Sequence, residues 1–240
     1  MALTGHPTNR FGQLCSVIHA RMWANSHSLL AIIDSRVIDH SAMLTLSRMI
    51  IEGYVLYSYI DEDAAEEEMD FRFILLKYHD TNSRINLLSV DKDKSTYRDL
   101  LDGRKSERAL LESHPFYRQL TPEQQARCAA GTQVFVRGLR RAAVNAGFNE
   151  RKFNSLYGYF SGHSHTLPVS LFRVAEHKID YFRPSEAQFG MAALAVTVAL
   201  PCMLRASFRR IDREAGLHDS WSNHSELRAI LHESSEGLFE

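Results

Sequence analysis

The chain has 240 residues, 45% hydrophobic and 24% charged, the composition of a globular protein that buries a core rather than of a disordered or fibrous one. Its formal net charge of −1 supplies no global field for nucleic acid or an anionic membrane, so any such contact would need a local patch. Cys15, Cys128 and Cys202 are widely spaced and form no Cys-x-x-Cys pair, which reads as free, mostly buried thiols in a reducing compartment. The opening MALTGHPTNR has no apolar core of signal-peptide type and predicts a cytoplasmic protein.

From Asn9 to about Ile33, the apolar residues Phe11, Leu14, Ile18, Met22, Leu29 and Ile33 recur at helical intervals and predict a long amphipathic helix. A second helix is predicted from Val37 to Ile60. Between Ser41 and Ile60 its only charged residues are Arg48 and Glu52, so it reads as a buried helix carrying two charges on one face. The acidic run Asp61-Glu-Asp-Ala-Ala-Glu-Glu-Glu reads as the solvated first turn of a third helix, capped by Asp61 or Asp63 and continuing to about Leu88. Asp91 to Ser113 is highly charged and reads as an exposed connector with a short helix.

Thr121-Pro-Glu-Gln has a helix start's cap, first-position proline and acidic first turn, and one helix is predicted from there to about Gly147. Asn149 begins another helix, through Phe153, Leu156, Tyr157 and Phe160, which Pro168 stops. A short segment follows, then a long helix from Glu186 to about Glu214, with Gly216 as its stop. Within it Phe189–Leu204 is uncharged. At 16 residues, interrupted by Pro201, it falls short of the roughly 20 a membrane helix needs and reads as buried core. No alternation of period two and no repeat is present, so the prediction is an all-α, single-domain bundle of six to eight helices over residues 1–215. Residues 216–240 read as a loosely attached polar tail.

Walker, Gly-x-Gly-x-x-Gly, His-Glu-x-x-His and Gly-x-Ser-x-Gly patterns are absent, and no cofactor is predicted. Three constellations stand out. Arg48 and Glu52 with Ser161 and His165 combine a fork of donors for an anion with an imidazole that moves protons near neutral pH. That set suits metal-free phosphodiester cleavage. It equally suits an internal polar clasp that ties two helices in register. Arg72 and His79, seven apart, share a helix face and read as solvated. His163 and His165 could share a metal with Glu52 or His177, although nothing in the sequence fixes a third ligand. Basic residues cluster at Arg137, Arg140, Arg141, Arg151 and Lys152, and again at Arg205, Arg209, Arg210 and Arg213, where they meet either RNA phosphates or helix ends.

The pattern Arg48-x-x-x-Glu52 followed by Tyr157-x-x-x-Ser161-x-x-x-His165 resembles a widespread family of all-helical bacterial proteins known only as a domain of unknown function, over residues 10 to 200. More distantly, the Tyr-to-His segment is similar to the closing motif of HEPN proteins, helical bundles that often act as ribonucleases or toxins in phage defence and toxin–antitoxin systems. The resemblance implies an HEPN-like bundle, RNA as a partner and a homodimer or protein partner, while the short apolar run already predicts no membrane partner. It also implies His165 as general acid/base. Active HEPN members place an arginine four to six residues before the histidine. This chain has Ser161 there, so Arg48 would supply the cation from another helix, with Glu52 orienting and Ser161 assisting.

Overall fold

A computed structural model describes residues 10–35, 37–62, 64–90, 95–165, 167–176, 178–183 and 185–216, with residues 225, 226, 229, 238 and 239 beyond them. The described residues form ten α-helices and no strand, so the fold is all-α. The helix count exceeds the six to eight expected because short helices fill stretches that read as connectors. The chain forms two compact units, Met1–Asp61 with Ala143–Glu240, and Glu62–Ala142.

In the first unit, α2 (His40–Asp61) packs against α1 (Arg10–Ile33), α8 (Glu150–Ser164) and α10 (Glu186–Ala215). The three neighbours account for its near-continuous apolar surface: Met43, Leu44, Ile50, Tyr54 and Val55 are all fully buried. Ser47 tolerates burial because its hydroxyl donates to the Ala195 carbonyl at 3.0 Å. Gly53 permits the close approach of α1, since a Cβ there would lie 2.6 Å from Met22 Cγ.

Helix α10 runs unbroken through Pro201. It starts with a Ser185–Gln188 capping box and ends at Gly216, which adopts a left-handed conformation with φ of 63°. It is long and apolar enough to cross a membrane by length and composition, and less than half of its most apolar stretch is buried. A short helix, α9 (Pro168–Glu176), follows α8. Leu238 and Phe239 are buried, the Phe239 ring tilted against Phe148 with centroids 4.5 Å apart. All three cysteines are free and buried.

The second unit holds α3 (Glu66–Leu87), α4 (Ser95–Ser113), α5 (Pro115–Gln119) and α6 (Pro122–Ala129) around Phe71, Leu75, Tyr78, Leu111, Leu120, Cys128 and Val136. Several expectations are corrected here. Asp61 ends α2 and pairs with Arg213 instead of capping α3, and Asp63 lies outside the described residues. The charged stretch after Asp91 is a 19-residue helix that buries Leu111 and Glu107. Leu111 is fully buried in this unit's core while its neighbour Leu110 is exposed, and Glu107 meets Lys77 at 3.3 Å.

The helix predicted from Thr121 to Gly147 is two, α6 and α7 (Leu139–Asn145), separated where Gly131 and Gly138 take φ of 72° and 82°. Arg72 is not on a solvated face. It is 4% exposed, and its NH2 group meets Glu62 at 2.9 Å and Glu68 at 2.5 Å. The acidic run is therefore partly a set of partners for this buried cation.

Candidate functional site

The Arg48–Glu52 pair lies on α2, four residues apart and hence on one face. Asn149 starts α8 by accepting from Lys152 N, and the helix then presents Tyr157, Ser161 and, at its C-cap, His165 at successive four-residue steps. Packing α2 against α8 brings the two faces together. Arg48 Nε donates to Glu52 Oε1 at 3.0 Å, and its NH2 group lies 3.0 Å from the same oxygen. NH2 also donates to the Tyr157 hydroxyl at 3.1 Å. NH1 reaches Ser161 Oγ at 3.4 Å and His165 Nε2 at 3.2 Å. Tyr157 closes the loop by donating to Glu52 Oε1 at 2.5 Å.

One more contact holds this register: Thr45 on α2 donates to Ser164 on α8 at 3.1 Å. Within α8 the Phe153 ring stacks on Tyr157 with centroids 5.4 Å apart, which steadies the phenol. The Arg48 side chain is 19% exposed and that of Glu52 39%, while His165 is exposed, so the cluster opens to solvent at its histidine end.

A guanidinium can only donate, so the contact with Arg48 makes His165 Nε2 an acceptor and places the ring proton of the neutral form on Nδ1. Burial disfavours the charge on Arg48, yet Glu52 and Tyr157 outweigh it and raise the guanidinium pKa further. Burial also raises the Tyr157 pKa, aided by the bond to Glu52 and its charge and partly offset by Arg48. The phenol therefore stays protonated as a donor to Glu52.

All four residues singled out from the sequence are thus in contact through Arg48. Tyr157 joins them as a fifth member, and its spacing of four from Ser161 is the signal for it in the sequence. His163 points elsewhere. Two residues from His165 on a helix is about 200° around the axis, and His163 is buried against His40 at 5.6 Å and Tyr159 at 4.6 Å. His177 lies outside the described residues. Among those described, no group of three His, Cys, Asp or Glu side chains is placed to hold a metal.

The basic residues of α10 are spent on packing. Arg205 lies over the Phe239 ring at 3.9 Å, Arg209 over Tyr54 at 5.8 Å, Arg210 bonds Glu214 at 2.8 Å, and Arg213 pairs with Asp61. Comparison with known proteins finds no matching family model, no similar curated protein and no similar solved structure.

Proposed function

We propose that this is an HEPN-like, metal-independent ribonuclease acting inside the cell, of the effector kind used in defence or toxin–antitoxin systems. The observation that carries the reading is the 3.2 Å contact between Arg48 NH1 and His165 Nε2 at the solvent-open end of the cluster. It sets a proton acceptor beside a permanent cation, the pairing that in-line phosphodiester cleavage requires.

In the proposed reaction His165 Nε2 takes the proton of a ribose 2′-hydroxyl as that oxygen bonds to the adjacent phosphorus. The bond from phosphorus to the 5′-oxygen breaks, and the leaving oxygen takes a proton from water. The products are a 2′,3′-cyclic phosphate and a 5′-hydroxyl end. Non-bridging phosphate oxygens replace both Ser161 and His165 on Arg48 NH1, contacts of 3.4 and 3.2 Å, which frees the single Nε2 lone pair for that proton. Glu52 and Tyr157 keep the guanidinium oriented.

A second reading rests on a different observation: all three nitrogens of Arg48 already have partners within the chain. On that reading the cluster is a clasp between α2 and α8 in a non-catalytic interaction module. His165→Ala separates the two. As an enzyme, the variant keeps its melting temperature and loses RNA cleavage at least about 100-fold, with wild-type cleavage unaffected by chelator. A wild-type protein that cleaves no RNA, or a variant as active as wild type, removes the enzyme reading.

A further inference from the structure

The Glu62–Ala142 unit contains a half-open cavity of about 340 Å³ between α3, α4 and the end of α6. Its lining includes Tyr78 and Asn82 from α3 and Arg104, Lys105 and Arg108 from α4. None of these belongs to the Arg48 cluster. Helical spacing explains the concentration of charge, since Arg104 and Arg108 are four residues apart on one face of α4 and Lys105 adjoins them. No carboxylate lines the cavity among the described residues.

The cations are weakly committed elsewhere. Arg104 has no hydrogen bond or ion pair among the described residues. Arg108 gives its Nε to Glu112 at 2.8 Å, and Lys105 gives one ammonium proton to Asp102 at 3.0 Å. Both are exposed pairs within one helix, weakly held and readily exchanged for a better acceptor. Arg108 keeps its terminal nitrogens for a forked contact with an anion.

The opposite wall is already fixed. Tyr78 donates to the Ala129 carbonyl at 3.0 Å, which covers one of the carbonyls at the negative end of α6. Asn82 donates to the Tyr78 carbonyl at 2.7 Å and lies directly over Gly131, where a Cβ would overlap its amide. The positive φ of Gly131 and its missing side chain leave this wall in place without a clash.

We infer that this cavity is a binding site for a small phosphate-bearing molecule, no larger than a mononucleotide, held by Arg104, Arg108 and Lys105. The volume lies at the lower end of the roughly 300–1,000 Å³ typical of small-ligand sites. Forked donors in the wall, with no carboxylate among the described lining residues, select phosphate over a neutral or cationic ligand.

The test is calorimetric titration of the full chain with inorganic phosphate and with adenosine monophosphate, at constant ionic strength. Saturable binding of either is expected, weakened at least about ten-fold in the Arg104→Ala/Arg108→Ala variant. Arg104→Lys/Arg108→Lys, which keeps the charge and removes the forks, is expected to bind more weakly than wild type and more tightly than the alanine variant. It also serves if the alanine variant fails to fold. Absence of saturable binding to both probes overturns the proposal, as does undiminished binding in the lysine variant.

Discussion

Arg48 and Arg72 each sit in a helix four residues from a glutamate, and they behave differently. Arg72 is clamped by two carboxylates, Glu62 and Glu68, with its side chain 5% exposed. Arg48 has one carboxylate, a phenol, a hydroxyl and an imidazole, and its side chain is 19% exposed. The first arrangement neutralises the cation and locks it. The second leaves a net dipolar cluster whose histidine end faces water, where an incoming anion can compete for NH1. Arg72 and His79 share a helix face by their spacing, but the guanidinium is already committed to Glu62 and Glu68. Spacing along a helix identifies a shared face, and the partners on that face decide what it does.

The contrast can be broken by substitution. The largest stability effect is expected for Arg72→Ala, which leaves Glu62 and Glu68 without their counter-charge. Because those side chains are 37% and 21% exposed, water recovers part of the loss, and about 2 kcal/mol is expected in chemical denaturation. A loss below about 0.5 kcal/mol would mean that Arg72 is not the clamp described. Tyr157→Phe removes the hydroxyl that joins α8 to both Arg48 and Glu52, leaves their direct pair in place and keeps the ring against Phe153. It is expected to cost about 1 kcal/mol by the same measurement and to lower RNA cleavage less than His165→Ala does. Equal losses in the two variants would argue for the clasp reading.

The smallest effect sharpens the comparison between His165 and its buried neighbour. Burial lowers the pKa of His163, with His40 and Arg173 adding to the effect, and burial lowers that of His40 against the opposing charge of Asp39. Both rings are therefore neutral when folded, and the unfolded chain binds more protons. Stability is fully present above the ordinary histidine range, near pH 6.5, and is lost as the pH falls from there towards the lowered values. Denaturation midpoints measured across that window should fall for the wild type and flatten in His163→Phe. An unchanged slope would show that the pair does not carry the dependence.

Much of the architecture was legible because it is encoded locally. The capping box at Thr121 with Gln124, the Asn149 cap and the Gly216 stop place helix ends within a residue or two of the sequence reading. The apolar run of α2 announced a buried helix, and its burial follows. Where the reading failed, the missing information was non-local. Composition made α4 look like a connector, because the value of Leu111 depends on the core it meets, namely Phe71, Leu75 and Cys128. The glycines at 131 and 138 did not reveal a helix break, since a glycine is compatible with either conformation until packing selects one.

Helical character, many helix ends and the residues sharing each helical face can be read along the chain, because these depend on neighbours within about four positions. Packing alone brings the Arg48 face of α2 to the Tyr157 face of α8, leaves His165 in solvent while His163 is sealed against His40, and encloses Arg72 with acids. Those outcomes depend on which helices pack together and in what register, and more than a hundred residues separate the two halves of the cluster in the chain.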